Sequence, residues 1–282
     1  MPFLALPFPP ISPVLVELGP VSIRWYGLAY VAGLVFGWWY IIRMVEVDRL
    51  WNGARRPKAT DIDDLLVWMT LGVVLGGRIG YILFYNFDAY LENPFEILRI
   101  WHGGMSVHGG FIGTALAQYL FARRRGLNVL TVFDLTAAAA PVGLFFGRLA
   151  NFINGELYGR VTDVPWAFVF PNSDGLPRHP SQLYEAGLEG LLLFALLTPL
   201  VWKSGILKRP GLAVGIFGLV YAAARILVET VREPDPQVGF LAGGFLTMGM
   251  LLSLVTALVA ASLIALALAG RTGGAPGREP AS

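Results

Sequence analysis

Residues 25–42 and 240–270 contain no charged side chain, and several other stretches of about 20 residues are nearly as apolar. A helix of that length crosses about 30 Å of hydrocarbon, where backbone polar groups have no water to bond. Such runs constrain the fold more than any motif, because they fix the solvent as well as the structure. Composition agrees: 55% of residues are hydrophobic and 14% charged, against about 25% charged in soluble domains. The expected class is an all-α integral membrane protein.

Seven transmembrane helices are expected, at about 24–44, 62–84, 107–123, 130–150, 182–202, 211–231 and 241–268. Basic residues mark alternate connections: Arg43, Arg49, Arg55, Arg56 and Lys58, then Arg123, Arg124 and Arg125, then Lys203, Lys208 and Arg209, and finally Arg271 and Arg278. By the positive-inside rule these connections are cytoplasmic, which sets the N-terminus in the periplasm and the C-terminus in the cytoplasm. Residues 1–270 read as one transmembrane catalytic domain, with a small periplasmic head at about 152–181 rich in Pro, Gly, Asn and Asp. Residues 271–282 read as a disordered cytoplasmic tail. The N-terminal segment lacks a basic start and is broken by Pro2, Pro7, Pro9, Pro10 and Pro13, which argues against a cleaved signal peptide and for a segment on the membrane surface.

The chain has no cysteine, so any thiol chemistry must use a thiol of the substrate. With a formal net charge of +2, no nucleic-acid partner is expected. The basic residues outside the cytoplasmic connections are Arg24, Arg78, Arg99, Arg148, Arg160, Arg178, Arg225 and Arg232, all arginine. Arginine keeps its charge and presents a planar fork of donors suited to phosphate, and inside a span it is costly unless paired or functional.

Three segments look chemical. Trp101-His-Gly-Gly-Met-Ser-Val-His-Gly-Gly110 places His108 among glycines that permit close approach. His108 suits either a hydrogen bond between helices or proton transfer near neutral pH. His102 and His108 lack carboxylates at ligand spacing, and Ser106 lacks a nucleophile elbow, so neither a zinc site nor a serine hydrolase is indicated. In Gly147-Arg-Leu-Ala-Asn-Phe-Ile-Asn-Gly-Glu-Leu-Tyr-Gly-Arg160, Arg148 and Asn151 share a helix face that Asn154 continues. Asn154 and Glu156 fit a capping role as well as a binding one. Gly143 and Gly147 form a small-xxx-small pair that suits close helix packing. Tyr221, Arg225, Glu229 and Arg232 form one polar stripe, in which Glu229 can pair with both arginines. Pro234 is expected to end that helix. Arg24-Trp-Tyr-Gly27, Gly76-Gly-Arg-Ile-Gly-Tyr81 and Arg178-His-Pro-Ser-Gln-Leu-Tyr-Glu185 complete the set, in which Gln182 and Glu185 fit a structural role as well.

Together these segments resemble the prolipoprotein diacylglyceryl transferase family, in the family's order and over about residues 22–235. The block Gly147–Gly159 is similar to the family signature, which accepts Gly or Ala where Ala150 stands. Val107 stands where an aromatic or other apolar residue is expected. The resemblance implies a multi-pass enzyme of the bacterial inner membrane with its active site toward the periplasm. It implies transfer of the diacylglyceryl group of phosphatidylglycerol to the lipobox cysteine of a prolipoprotein signal peptide, with release of glycerol 1-phosphate and no cofactor or metal. It assigns catalytic roles to His108, Arg148 and Arg225, with His108 as the base and the arginines on phosphate. Tyr26, Arg78, Asn151, Asn154, Glu156, Gly159, Tyr221, Glu229 and Arg232 are expected to bind or support the substrates. The polar stripe alone would also fit a seven-helix transporter or lipid-binding sensor, and a third reading is a related lipid phosphotransferase or phospholipase that uses water or another alcohol as acceptor.

Overall fold

The computed structural model describes residues 5–19, 21–51, 53–85, 87–99, 103–233, 239–242 and 244–273. His102, Pro2, Pro234 and the tail from residue 274 lie outside them. Strands β1 (Leu6–Pro7), β2 (Val14–Leu18) and β3 (Val21–Arg24) precede α1 (Trp25–Glu46), and α2 (Ala59–Tyr85), α3 (Phe87–Glu92), α4 (Val107–Arg124) and α5 (Val129–Ile153) follow. Next come β4 (Phe168–Val169) and α6 (Ser181–Glu185), which continues through π-helical turns over Ala186–Leu192 into α7 (Leu193–Trp202). Then come α8 (Leu212–Glu229), β5 (Phe240–Ala242), β6 (Leu246–Thr247) and α9 (Met248–Leu268).

Six helices among the described residues are long and apolar enough to cross a membrane: α1, α2, α5, the run from Ser181 to Trp202, α8 and α9. Their outward faces carry Val31, Leu34, Val35, Leu258 and Val259, large apolar side chains left exposed. An exposed apolar surface of this extent belongs in lipid. The chain is therefore a multi-pass membrane protein. The expected span at 107–123 does form a helix, α4, of 18 residues. It falls outside the six because His108, three glycines, Thr114, Gln118 and two terminal arginines dilute its apolar character.

The described residues divide into two compact units, one within residues 5–40 and 134–273 and the other within residues 41–133. In the second unit α2 packs along α4 through glycines. A methyl group built on Gly72 would lie 2.8 Å from the Ala117 methyl, and one on Gly76 would lie 2.7 Å from the Gly113 Cα. Ser106 caps α4 by accepting a hydrogen bond from the Gly109 N–H at 3.2 Å.

In the first unit α1 approaches α5 where a methyl on Gly33 would meet the Gly143 Cα at 2.9 Å. The glycine this approach requires is Gly33: a methyl on either member of the expected pair, Gly143 or Gly147, would meet nothing within 4 Å. The π-helical segment lies against α5, since a methyl on Gly190 would lie 2.6 Å from the Phe145 Cβ. Asp134, fully buried, accepts hydrogen bonds from the N–H groups of Gly211 at 2.7 Å and Val214 at 2.8 Å, capping α8 from another helix.

The N-terminal arm is tied to the head. β1 pairs in parallel with β4, and the Phe8 ring lies 5.2 Å from Phe152 and 5.4 Å from Phe170. The β2–β3 hairpin leaves Leu15, Val16 and Leu18 exposed, so this part of the arm keeps the apolar face expected at a membrane surface.

Candidate functional site

The end of α5 builds the first part of the site. Its last turn closes with the Glu156 N–H bonded to the Asn151 carbonyl at 3.1 Å and the Gly155 N–H to the Phe152 carbonyl at 2.9 Å, a Schellman motif. Gly155 has φ of +65°, which a glycine adopts without steric cost. The turn folds Glu156 back onto its own helix, where its Oε1 accepts from Asn151 Nδ2 at 2.8 Å and Asn154 Nδ2 at 3.3 Å. The Gln182 amide of α6 then donates to the Glu156 carbonyl at 2.5 Å, joining the signature block to the next helix.

One turn back on α5, Arg148 reaches two glutamates. Its Nε lies 3.1 Å from Glu185 Oε2 and its Nη2 lies 3.4 Å from Glu189 Oε2. Both glutamates are fully buried. Glu185 also accepts from Arg225 Nη1 at 2.5 Å and stands 3.9 Å from Arg232 Nη1. Arg225 is clamped on its other side by Glu229, four residues along α8. Arg232 Nη1 lies 3.8 Å from the same Glu229 Oε1. Tyr221, one turn before Arg225, stacks on Phe217 with ring centroids 5.9 Å apart and lies within electrostatic reach of Arg148, Arg225, Glu185 and Glu189.

Arg148, Arg225 and Arg232 thus face Glu185, Glu189 and Glu229, so the formal charges cancel. Charges this deep in apolar surroundings persist only when paired. The stripe expected on α8 and the arginine expected on α5 are brought together. Sequence reading placed Glu185 outside the site and passed over Glu189, although two carboxylates four residues apart inside an apolar span were the available signal.

The head covers these helix ends. Gly159 donates to the His179 carbonyl at 2.8 Å, and Arg160 N–H donates to Val231 at 2.8 Å. A methyl on Gly159 would lie 2.5 Å from the Val231 carbonyl and 2.7 Å from the His179 Cβ, so only glycine fits where these segments cross. The Arg160 guanidinium closes the C-terminal end of α8, bonding the carbonyls of Arg232 at 2.8 Å and Glu229 at 3.2 Å. Arg178 pairs with Asp174 at 2.8 Å and Glu233 at 3.0 Å. The hydrogen bond from Arg178 holds the exposed Asp174 carboxyl below its ordinary pKa. Burial lowers the pKa of His179, whose Nδ1 lies 3.1 Å from the Tyr184 hydroxyl.

Tyr26 stands in the first turn of α1 with its hydroxyl 3.1 Å from that of Tyr30. His108 and Arg78 belong to the second unit. His108 is exposed in the first turn of α4. Arg78 is buried and its donors are taken by main-chain carbonyls, Ile97 at 3.0 Å, Gly103 at 2.5 Å and Gly104 at 3.2 Å, with Glu96 close by. Its guanidinium therefore folds the connection that leads into α4. Among the described residues no group of three or more His, Asp or Glu side chains is arranged to hold a metal ion.

Residues 13–266 match the family described as prolipoprotein diacylglyceryl transferase. A protein of Sinorhizobium medicae named phosphatidylglycerol–prolipoprotein diacylglyceryl transferase is 56% identical over 255 residues, covering 90% of this chain and 91% of that one. Proteins of the same name from Bradyrhizobium diazoefficiens and Agrobacterium fabrum are 54% and 56% identical, over 95% and 88% of this chain and 95% and 89% of theirs.

Proposed function

The chain belongs to the prolipoprotein diacylglyceryl transferase family, and from that premise we propose that it moves the diacylglyceryl group of phosphatidylglycerol onto the lipobox cysteine of a prolipoprotein. The observation that supports this reading best is the convergence of Arg148 and Arg225 on the shared, fully buried Glu185. It presents two forked cations from different helices at one place in an apolar surround, the arrangement a lipid phosphate requires.

In the reaction the cysteine sulfur attacks the glyceryl carbon that carries the phosphate ester. A C–S bond forms, the C–O bond breaks, and its electron pair leaves with the oxygen of glycerol 1-phosphate. The thiol proton goes to a base, for which His108 is the proposed acceptor. Free thiols ionise near pH 8.5, so a base or a positive field raises the reactive fraction. The arginines contribute by stabilising the charge that gathers on the departing phosphate oxygen, where fixed donors in a low-dielectric site count most. Because each arginine already faces a glutamate, phosphate binding exchanges part of a carboxylate contact for a phosphate contact. Glu185, Glu189 and Glu229 then hold the empty site neutral and the guanidiniums aimed.

In this reading Asn151, Asn154 and Glu156 face the glycerol oxygens, Tyr26 and Tyr221 line the lipid site, and Gly159 keeps the head seated. Arg232 supports Glu229, and Arg78 shapes the approach to His108. The protein lies in the bacterial inner membrane with seven spans, α4 included, and its active site faces the periplasm. No cofactor takes part.

The test is a transfer assay with purified protein, phosphatidylglycerol and lipobox peptides that differ only in Cys or Ser at the acceptor. Transfer to Cys alone is expected, falling by on the order of 10²–10³ in Arg148→Ala and Arg225→Ala. Replacement of His108 by Gln with turnover unchanged removes it as the base. Folded, lipid-binding protein that modifies neither peptide overturns the reading.

A further inference from the structure

From the start of α9 we infer that Thr247 and Gly249 are positioning residues for this reaction, forming the seat that holds Glu229 against Arg225; the inference rests on the proposed role of Arg225. The Thr247 hydroxyl has two partners. Its oxygen accepts from the Met250 N–H at 3.1 Å, the ordinary capping bond of a helix start. Its hydrogen is donated to Glu229 Oε2 at 2.6 Å, from α9 to α8. Thr247 and Glu229 are both buried, so water does not substitute for that donor.

Gly249, two residues into α9, supplies the space. A methyl group built there would lie 2.5 Å from Glu229 Oε1 and 2.6 Å from its Cδ. The carboxylate therefore lies flat on the first turn of α9, where the helix dipole also favours negative charge. Its Oε1 is left facing Arg225 and, at 3.8 Å, Arg232. Glu185 fixes one arm of the Arg225 guanidinium at 2.5 Å, and Glu229 fixes the other. An arginine held by two carboxylates keeps one orientation only while both are anchored. Glu185 is anchored by Arg148 from α5. Glu229 is anchored by Thr247, a residue that touches no substrate in this scheme and reaches Arg225 only through Glu229.

The experiment compares full-length wild type, Thr247→Val, Thr247→Ser, Gly249→Ala and Glu229→Gln, each purified and assayed with phosphatidylglycerol vesicles and a lipobox peptide. Thermal unfolding is followed in parallel. Thr247→Val is expected to lower kcat about tenfold or more, with a smaller change in the KM for lipid, as for an interaction felt mainly in the transition state. Thr247→Ser keeps the donor and restores most of the rate. Gly249→Ala lowers kcat as Thr247→Val does. In the Glu229→Gln background Thr247→Val adds less than about twofold, because the two act as a unit.

Folded Thr247→Val with wild-type turnover overturns the inference. A loss that recurs undiminished in the Glu229→Gln background overturns it too. If Thr247→Val does not fold, Gly249→Ala decides, and failure of both to fold assigns these residues a structural role instead. Wild type that transfers nothing overturns the proposed function itself, before any variant is compared.

Discussion

Glu185 is the residue on which the arginines depend. It meets Arg148 from α5, Arg225 from α8 and Arg232 beyond it, with its own side chain fully buried. Replacing it with Leu leaves cations in a low-dielectric site without their shared partner, and breaking such a pair costs about 3–5 kcal/mol. Glu185→Leu is expected to lose both transfer activity and thermal stability in detergent, with Glu185→Gln intermediate in both. A variant as stable as wild type would show that solvent or lipid headgroups already neutralise the arginines. His179 gives a pH-dependent prediction. Burial lowers its pKa in the folded protein, so the unfolded chain binds the proton more readily. Its contribution to stability is complete above the unfolded value, about 6.5, and is lost as pH falls from there toward the folded value. His179→Gln should flatten the dependence of thermal stability as pH falls below about 6.5, and an unchanged slope would remove His179 as its source. The cations were legible in the sequence because an arginine in an apolar run is conspicuous. Their buried partners were less so, because Glu185 sits at a helix start where a carboxylate is ordinary, and Thr247 looks like any helix cap until its hydrogen is followed across to Glu229.

Elements are placed here by small groups at close approaches. On α4, a methyl on Gly113 would lie 2.8 Å from the Gly76 Cα, whereas on α5 a methyl on Gly147 would meet nothing within 4 Å. Alanine gains about 1 kcal/mol of helix propensity over glycine at either position. At Gly113 that gain is outweighed by forcing α2 and α4 apart, since overpacking costs about 1–3 kcal/mol. Gly113→Ala is therefore expected to lower the unfolding temperature and Gly147→Ala to leave it unchanged or raise it. The same shift from both would mean that backbone flexibility, not contact, decides. Asp134 holds α8 in another way, as the acceptor for two N–H groups that α8 cannot satisfy itself. Asp134→Ala leaves those donors unpaired at a cost of order 2 kcal/mol, and Asp134→Asn, which keeps one acceptor oxygen, should recover part of it in the same unfolding measurement. Sequence reading found the helices from their apolar length. It did not find these contacts, because spacing along one helix does not say which neighbour a glycine faces. Gly143 and Gly147 carry the pattern, yet a methyl on either would meet nothing within 4 Å, and the glycine that the α1–α5 approach requires is Gly33.

At the scale of the whole molecule the outstanding quantity is the number of crossings, and α4 decides it. Six other helices are apolar enough by themselves. α4 has the length of a short span, 18 residues, but begins with His108 and two glycines and carries Arg123 and Arg124 in its last turn. Its glycines lie against α2, so part of its surface is covered by protein backbone and not by lipid, and a helix covered in this way needs less apolar side-chain area to cross. The basic residues argue in the same direction. If α4 crosses, Lys58, Arg124, Lys203 and Arg271 all fall on the cytoplasmic side; if it does not, every connection after it changes sides and Lys203 and Arg271 part company with Lys58. The chain contains no cysteine, so single cysteines report sides without background. With α4 crossing, Lys58→Cys, Arg124→Cys and Lys203→Cys should react with an impermeant maleimide only after the inner membrane is opened, whereas Asn93→Cys and Ser173→Cys should react in intact spheroplasts. Labelling of Arg124→Cys from outside together with protection of Ser173→Cys would make α4 a half-buried hairpin arm. The head and its arginine–glutamate cluster would then face the cytoplasm, and a periplasmic site for the acceptor thiol would be excluded along with the seventh span.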